Sequence, residues 1–276
     1  MRILSTQLAE HDGESVECAG WVRSTRELGK MMFLIIADRK GKFQAVVKDA
    51  KLLAQAKSLG LEDVVALQGT ARKDSRVKEG GTEVEVTGIT VLATADRQLP
   101  VDIAGKTETN FEARFDHRVL DLRREHGQNV FAVQHNICQA FRDHLAGEGF
   151  IEIHTPKIIA TGTEGGANLF PVIYFDREAF LAQSPQFYKQ MLVGSGFERV
   201  FEIAPVFRAE EHDTPFHLNE YVSLDFEMGF IKNESDVMQV TAETIHAIFK
   251  RVVEENQKQL EFFKSQLEVP KLPLPV

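Results

Sequence analysis

The chain has 276 residues with 43% hydrophobic content, enough to bury a core and form two domains, and no run of about 18 apolar residues that would cross a membrane. Cys18 and Cys138, far apart and outside any CxxC spacing, exclude a disulfide framework, and nine scattered histidines exclude a zinc cluster. The net charge of −9 excludes nucleic-acid binding through a broad basic field but leaves room for recognition of one structured RNA through local contacts.

The N-terminal MRILSTQLAEHDGE has no apolar stretch of the secretory kind, which with the cysteine usage points to the cytoplasm. Residues 1–105 hold 15 Lys+Arg and 15 Asp+Glu, so the whole negative charge comes from the remainder. Residues 15–22 (SVECAGWV) alternate, 32–37 form an apolar run, 39–42 make a turn and 43–47 follow as a strand. Residues 51–59 are helical in pattern; 64–71 and 82–92 add two more strands. Five strands with a helix between the third and fourth is the pattern of an OB-fold barrel, which presents its second and third strands to oligonucleotides. A small spacer or dimerisation barrel is the plainer reading of the same periodicity. Residues 98–110, with Pro100 and Gly105, lack periodicity and read as a linker between domains 1–97 and 111–276.

Residues 115–124 and 130–148 are helical in pattern, with Phe131, His135, Cys138, Phe141 and Leu145 near one face and Gly147 and Gly149 as the stop. A strand at 150–153 then meets Pro156. In TGTEGGAN (161–168), Gly165 and Gly166 permit close backbone approach to a ligand, and Glu164 is placed to accept a hydrogen bond from a substrate ammonium; an ordinary turn is the alternative. On a helix after Pro185, Gln186 and Lys189 lie at i and i+3 and project to one side, a pair suited to the two ends of a small dicarboxylic amino acid. The alternative is a solvated lysine. Residues 206–230 (VFRAEEHDTPFHLNEYVSLDFEMGF) read as a long hairpin: Arg208 and Glu210 share one strand face, and Val222, Leu224 and Phe226 alternate with Ser223, Asp225 and Glu227 on the return. A surface hairpin laced with ion pairs is the plainer account. Residues 236 to about 267 read as one helix.

The complete hairpin string resembles motif 2 of class II aminoacyl-tRNA synthetases, closest to the aspartyl and asparaginyl branch. FIEIHTP (150–156) resembles their motif 1, which builds a dimer interface, and QSPQFYKQ (183–190) resembles the amino-acid-binding helix of the aspartyl enzymes. The resemblance implies an all-β OB-fold anticodon-binding barrel followed by an α+β catalytic domain with an antiparallel sheet. It implies an aspartate–tRNA ligase that activates aspartate with ATP and transfers it to tRNA(Asp), with tRNA(Asn) left open. An asparaginyl-tRNA synthetase and a tRNA-independent relative of asparagine synthetase are the alternatives; the lysine at 189 and the barrel argue against each in turn.

By the same resemblance Arg208 binds the α-phosphate and the reacting carboxylate, making it the catalytic residue. Glu164, Gln186, Lys189 and Arg208 bind aspartate. Arg208, Glu210, Phe216, His217, Leu218 and Tyr221 bind ATP, with Tyr221 stacking on adenine and His217 touching the terminal phosphates. Phe216 stands where most relatives have an arginine, so one phosphate-facing cation is missing from the loop. Phe33 stacks an anticodon base, Gln44 hydrogen-bonds one, and Glu83 is a third candidate; a core position for Phe33 is the alternative. The choice between tRNA(Asp) and tRNA(Asn) falls to barrel side chains around Arg23, Phe33 and the loop 73–81. The reaction needs positioning and charge neutralisation and no general base, because the attacking carboxylate is already ionised. No glycine-rich motif 3 is found, and the acidic ligands for Mg2+ that precede it in the family are absent, so no metal site is expected within the chain. The catalytic domain is accordingly expected to be truncated and inactive alone, with an exposed hairpin edge that leaves Val222, Leu224 and Phe226 uncovered.

Overall fold

Alternation of apolar and polar side chains produces five strands: β1 (Ser15–Leu28), β2 (Met31–Ala37), β3 (Lys42–Val47), β4 (Val64–Lys73) and β5 (Thr82–Ala93), with helix α1 (Ala50–Ser58) between the third and fourth. The computed structural model describes residues 2–78, 80–162, 168–212, 214 and 216–274. The strands close into a barrel in the order β1-β2-β3-β5-β4. Val16, Cys18, Leu34, Ile36, Phe43, Leu67 and Val84 fill its interior. Strand β1 runs beyond the alternating 15–22 segment because it bends at a bulge after Val22: its first half pairs with β4 and its second half with β2. The corner needs glycine, since a Cβ on Gly20 would stand 2.2 Å from the Ala37 carbonyl oxygen. Burial pushes the Cys18 thiol up to about 12, so it is an inert filler of the core.

Helices α2 (Phe111–Asp116) and α3 (Arg118–Asp121) belong to the same compact unit, which spans Met1–Arg124. Two buried carboxylates hold this segment. Asp121 accepts from Arg114 at 2.7 Å and Arg118 at 2.5 Å, and the Arg114 hydrogen bond keeps its carboxyl below the ordinary range. Glu62 pairs with Arg23 and, at 2.5 Å, with Arg123, whose guanidinium also lies over the Trp21 ring.

The second unit, Glu125–Val276, contains α4 (Glu125–Gly147), β6 (Ile151–Glu152), β7 (Ile158–Ile159), β8 (Pro171–Tyr174), β9 (Arg177–Leu181), α5 (Gln186–Leu192), β10 (Arg199–Phe207), β11 (Glu220–Met228), α6 (Glu234–Glu255) and α7 (Gln257–Phe263). One sheet has the order β11-β10-β6, with β6 parallel to β10; another has the order β7-β9-β8. Gly149 stops α4 at φ +80°, letting the Phe150 N–H turn back to the Leu145 carbonyl at 2.9 Å. Phe141, Leu145, Phe150, Phe201 and Val240 form the core, with Phe226 packed edge-on against Phe150.

Three expectations are corrected here. Phe226 is covered, whereas Val222 and Leu224 remain 51% and 36% exposed, because the aromatic layer reaches only the far end of the hairpin. The stripe on α4 is buried at Phe141 and Leu145 but not at Phe131 and His135, which precede the turns that meet the core. The single C-terminal helix is two, broken at Asn256, whose buried amide accepts from Asn136 of α4 at 2.9 Å. Asn256 itself lies outside helical geometry, at φ −113° and ψ 27°.

Candidate active site

The β10–β11 hairpin is antiparallel in unbroken register from Arg199↔Met228 to Phe207↔Glu220. Beyond Phe207 the strand geometry ends, so Arg208 and Glu210 do not share a continuing strand face as their spacing suggested. The Arg208 N–H still donates to the Asn219 carbonyl at 2.9 Å, after which the Glu210 N–H turns to the Arg208 carbonyl and the Asn219 side chain. The turn nevertheless brings the two side chains together. Arg208, Glu210, Phe216, His217, Leu218 and Tyr221 line one pocket of about 280 Å3. That lies just below the span of roughly 300–1,000 Å3 usual for small-molecule sites, the size for part of a nucleotide. The Arg208 guanidinium carbon stands 6.0 Å from the centre of the Tyr221 ring, so cation and aromatic face address the same space. His217 is anchored through Nδ1 to the Thr214 hydroxyl at 2.6 Å and lies against His212, while Phe216 is 92% exposed at the rim.

Helix α5 supplies the second half of the site. Gln186 and Lys189, three residues apart, reach the same carboxylate: Glu227 accepts from the Gln186 amide at 3.2 Å and stands 3.3 Å from the Lys189 ammonium. Lys189 is buried and pairs with Asp225, and it also donates to the Phe226 carbonyl. A buried ammonium needs such partners, because desolvating it alone costs several kcal/mol. Asp225 and Glu227 were legible only as the polar half of an alternating strand. Nothing in their local pattern singled them out; they become site residues only because Gln186 and Lys189 of α5 meet them.

Glu164 lies outside the described residues. In the barrel, Phe33 sits between buried Met32 and Leu34 and points to the outer face, where Arg26 covers its ring at 5.2 Å; it is not a core residue. Gln44 and Glu83 are register partners across β3 and β5, bonded at 2.8 Å on that outer face. A larger cavity of about 490 Å3 in the first unit includes Glu62, His117 and Arg123, but its buried Glu62 is already committed to Arg23 and Arg123. Among the described residues no helix is long and apolar enough to cross a membrane, and no group of three His, Cys, Asp or Glu side chains is arranged to hold a metal ion.

A family model described as tRNA synthetases class II (D, K and N) matches residues 110–274, and one described as an OB-fold nucleic acid binding domain matches residues 16–92. The chain is 47% identical over 270 residues to an aspartate–tRNA(Asp/Asn) ligase of Methanopyrus kandleri, covering 96% of this chain and 62% of that protein. It is 44% identical over 276 residues to an aspartate–tRNA(Asp) ligase of Thermococcus kodakarensis, covering 98% of this chain and 63% of that one. The crystal structure of asparaginyl-tRNA synthetase from Pyrococcus horikoshii complexed with asparaginyl-adenylate superposes with a TM-score of 0.89 at 32% identity, over 96% of this chain and 61% of that one. The chain thus spans about three fifths of the length of the curated relatives it matches. With its larger part matched by the synthetase model and its N-terminal barrel by the OB-fold model, the chain belongs to the class II tRNA synthetases of the D, K and N group.

Proposed function

We propose that the chain carries the anticodon-reading barrel and part of the active site of an aspartate–tRNA ligase, acting on tRNA(Asp) and extending to tRNA(Asn). The observation that carries this reading is the buried Lys189 ammonium, held by carboxylates on the same face of β11 as Tyr221. Asp225 and Tyr221 are four residues apart on that face, roughly 13 Å at strand spacing, so an amino acid at Lys189 lies within reach of a nucleotide at Tyr221 and Arg208. A buried cation selects a side-chain carboxylate over an uncharged amide, which favours aspartate over asparagine. The relatives named aspartate–tRNA ligases, and a solved relative complexed with an aminoacyl-adenylate, support the same chemistry.

In this reading Lys189 takes the side-chain carboxylate, Gln186 and Asp225 hold the backbone end of the substrate, and Glu164 assists. Arg208 neutralises the α-phosphate and aligns the attacking carboxylate. Tyr221 stacks the adenine beside Glu210 and Leu218, His217 meets the outer phosphates, and Phe216 closes the rim without adding charge. Mg2+ accompanies the ATP as part of the nucleotide substrate. Phe33, Gln44 and Glu83 present the barrel face to the anticodon. The functional limits are 1–97 for the barrel, 98–110 for the connector and 111 onward for the catalytic region. A homodimer through α4 and β6, where Phe131 and Ile151 are exposed, and a cytoplasmic location complete the proposal.

ATP–pyrophosphate exchange tests it, in a protein of the relatives' full length that contains this chain. Exchange should require aspartate. Lys189→Leu should raise the aspartate KM by the equivalent of roughly 2–5 kcal/mol while leaving the ATP KM in place. Exchange driven by asparagine and not aspartate overturns the reading.

A further inference from the structure

The covered face of the β10–β11 hairpin carries three carboxylates, Glu202, Asp225 and Glu227, and two ammoniums stand against them, Lys157 and Lys189. Glu202 and Asp225 are direct partners in the ladder, a position in which like charges repel. Each has its own cation. Lys189 serves Asp225, and Lys157 stands 2.9 Å from Glu202. Glu202 is 1% exposed and also accepts the Thr155 N–H at 2.7 Å and the Thr155 hydroxyl at 2.9 Å. The Lys157 ammonium donates to the same hydroxyl at 2.8 Å, so the three side chains form a closed unit.

The inference from this arrangement rests on the aspartate reading above. A bound aspartate brings one ammonium and two carboxylates. When Lys189 turns to the side-chain carboxylate, Asp225 and Glu227 lose their cation, and the substrate ammonium takes its place. The exchange keeps both ammoniums on their new partners only if Glu202 does not compete for either. We propose that Lys157, supported by Thr155, is a positioning residue for amino-acid specificity: it neutralises Glu202 and leaves the Lys189–Asp225 pair free to trade partners with aspartate. Lys157 touches no reacting atom in this scheme. It acts through Glu202 on the charge that Asp225 and Lys189 experience.

The test is a charge-removal cycle read by aspartate-dependent ATP–pyrophosphate exchange in the full-length protein. Lys157→Met should raise the aspartate KM about tenfold, the scale on which residues acting through a direct ligand operate. The kcat and the ATP KM should change by less than about twofold. Lys157→Met combined with Glu202→Gln should return the aspartate KM to within about threefold of the parent, because the unpaired charge goes with its partner. A mere tether for residues 155–157 gives the opposite pattern, with the double variant at least as impaired as the single and all parameters falling together. Should Lys157→Met fail to fold, Lys157→Gln keeps a donor, removes the charge and is expected to show the same rise. An unchanged aspartate KM in the charge-removed variant, or no rescue in the double, overturns the inference while parental aspartate exchange keeps the functional reading. Parental exchange with asparagine alone overturns both.

Discussion

The barrel and the β10–β11 sheet put alternation to different uses. In the barrel every strand has two neighbours and one face of each strand goes inside: in β5 Val84 and Val86 are buried while Glu83 and Glu85 face outward. In the second unit β11 has one strand neighbour among the described residues, and both of its faces are used. Tyr221, Ser223, Asp225 and Glu227 lie on the pocket face; on the other, Phe226 and Met228 pack on the core while Val222 and Leu224 stay exposed. A closed barrel can give its enclosed face to stability and its outer face to binding. An open sheet that builds a pocket on one face must bury charge there, and here two lysines from outside the hairpin serve its three carboxylates.

Several substitutions test that difference, the largest effect being expected at the pocket. Arg208→Ala should lower aspartate-dependent exchange on the order of a thousandfold, the scale for losing a group that stabilises developing charge, with little change in the melting temperature. Equal losses of folding and exchange would mean that Arg208 serves the hairpin and not the pocket. In the barrel the ranking inverts. Phe43→Ala, at a position 1% exposed, should cost about 3–5 kcal/mol of stability as measured by urea unfolding of the first unit.

Asp121→Asn should cost roughly 2 kcal/mol, less than a fully enclosed pair because its arginines keep contact with water. Since the folded-state pKa of Asp121 lies below its ordinary value, its contribution is complete above that value and is lost as pH falls through the depressed one. The parent should therefore lose stability below about pH 4 more steeply than the variant. Parallel acid-unfolding curves would remove Asp121 from the account. Phe33→Ala should weaken RNA binding by about 1–3 kcal/mol while the thermal midpoint stays in place, because the ring is outside the core. The smallest stability change is expected for Val222→Ser, within about 0.5 kcal/mol. Sedimentation should nevertheless show less self-association at high concentration, as one exposed apolar position is removed from an open sheet.

Much of the fold was legible from pattern. The barrel strands were visible as alternating stretches, as in β1 and β5, or as an apolar run, as in β2, with turns between them at Gly41 and between β4 and β5; α1 was visible from its helical pattern. The candidate site was legible where a short string carries the chemistry, as in the run from Arg208 to Tyr221 or from Gln186 to Lys189. Asp225, Glu227 and Glu202 were not legible as site residues, since a carboxylate on a strand reads as solvent-facing until a helix is placed over it. The break at Asn256 escaped as well: the buried amide there is paired with a residue 120 positions away, which no local pattern reveals.

The sequence by itself determined the period of each strand, the helix stop at Gly149 and the residue types at the pocket, because these depend on neighbours a few positions apart. Tertiary structure alone decided which end of β11 would be covered, which lysine would meet which carboxylate, and that Phe226 would pack on the core while Leu224 stayed exposed. Charge pairing and burial are set by what is packed across space, and a residue's own local pattern carries no information about a partner that the chain delivers from another element.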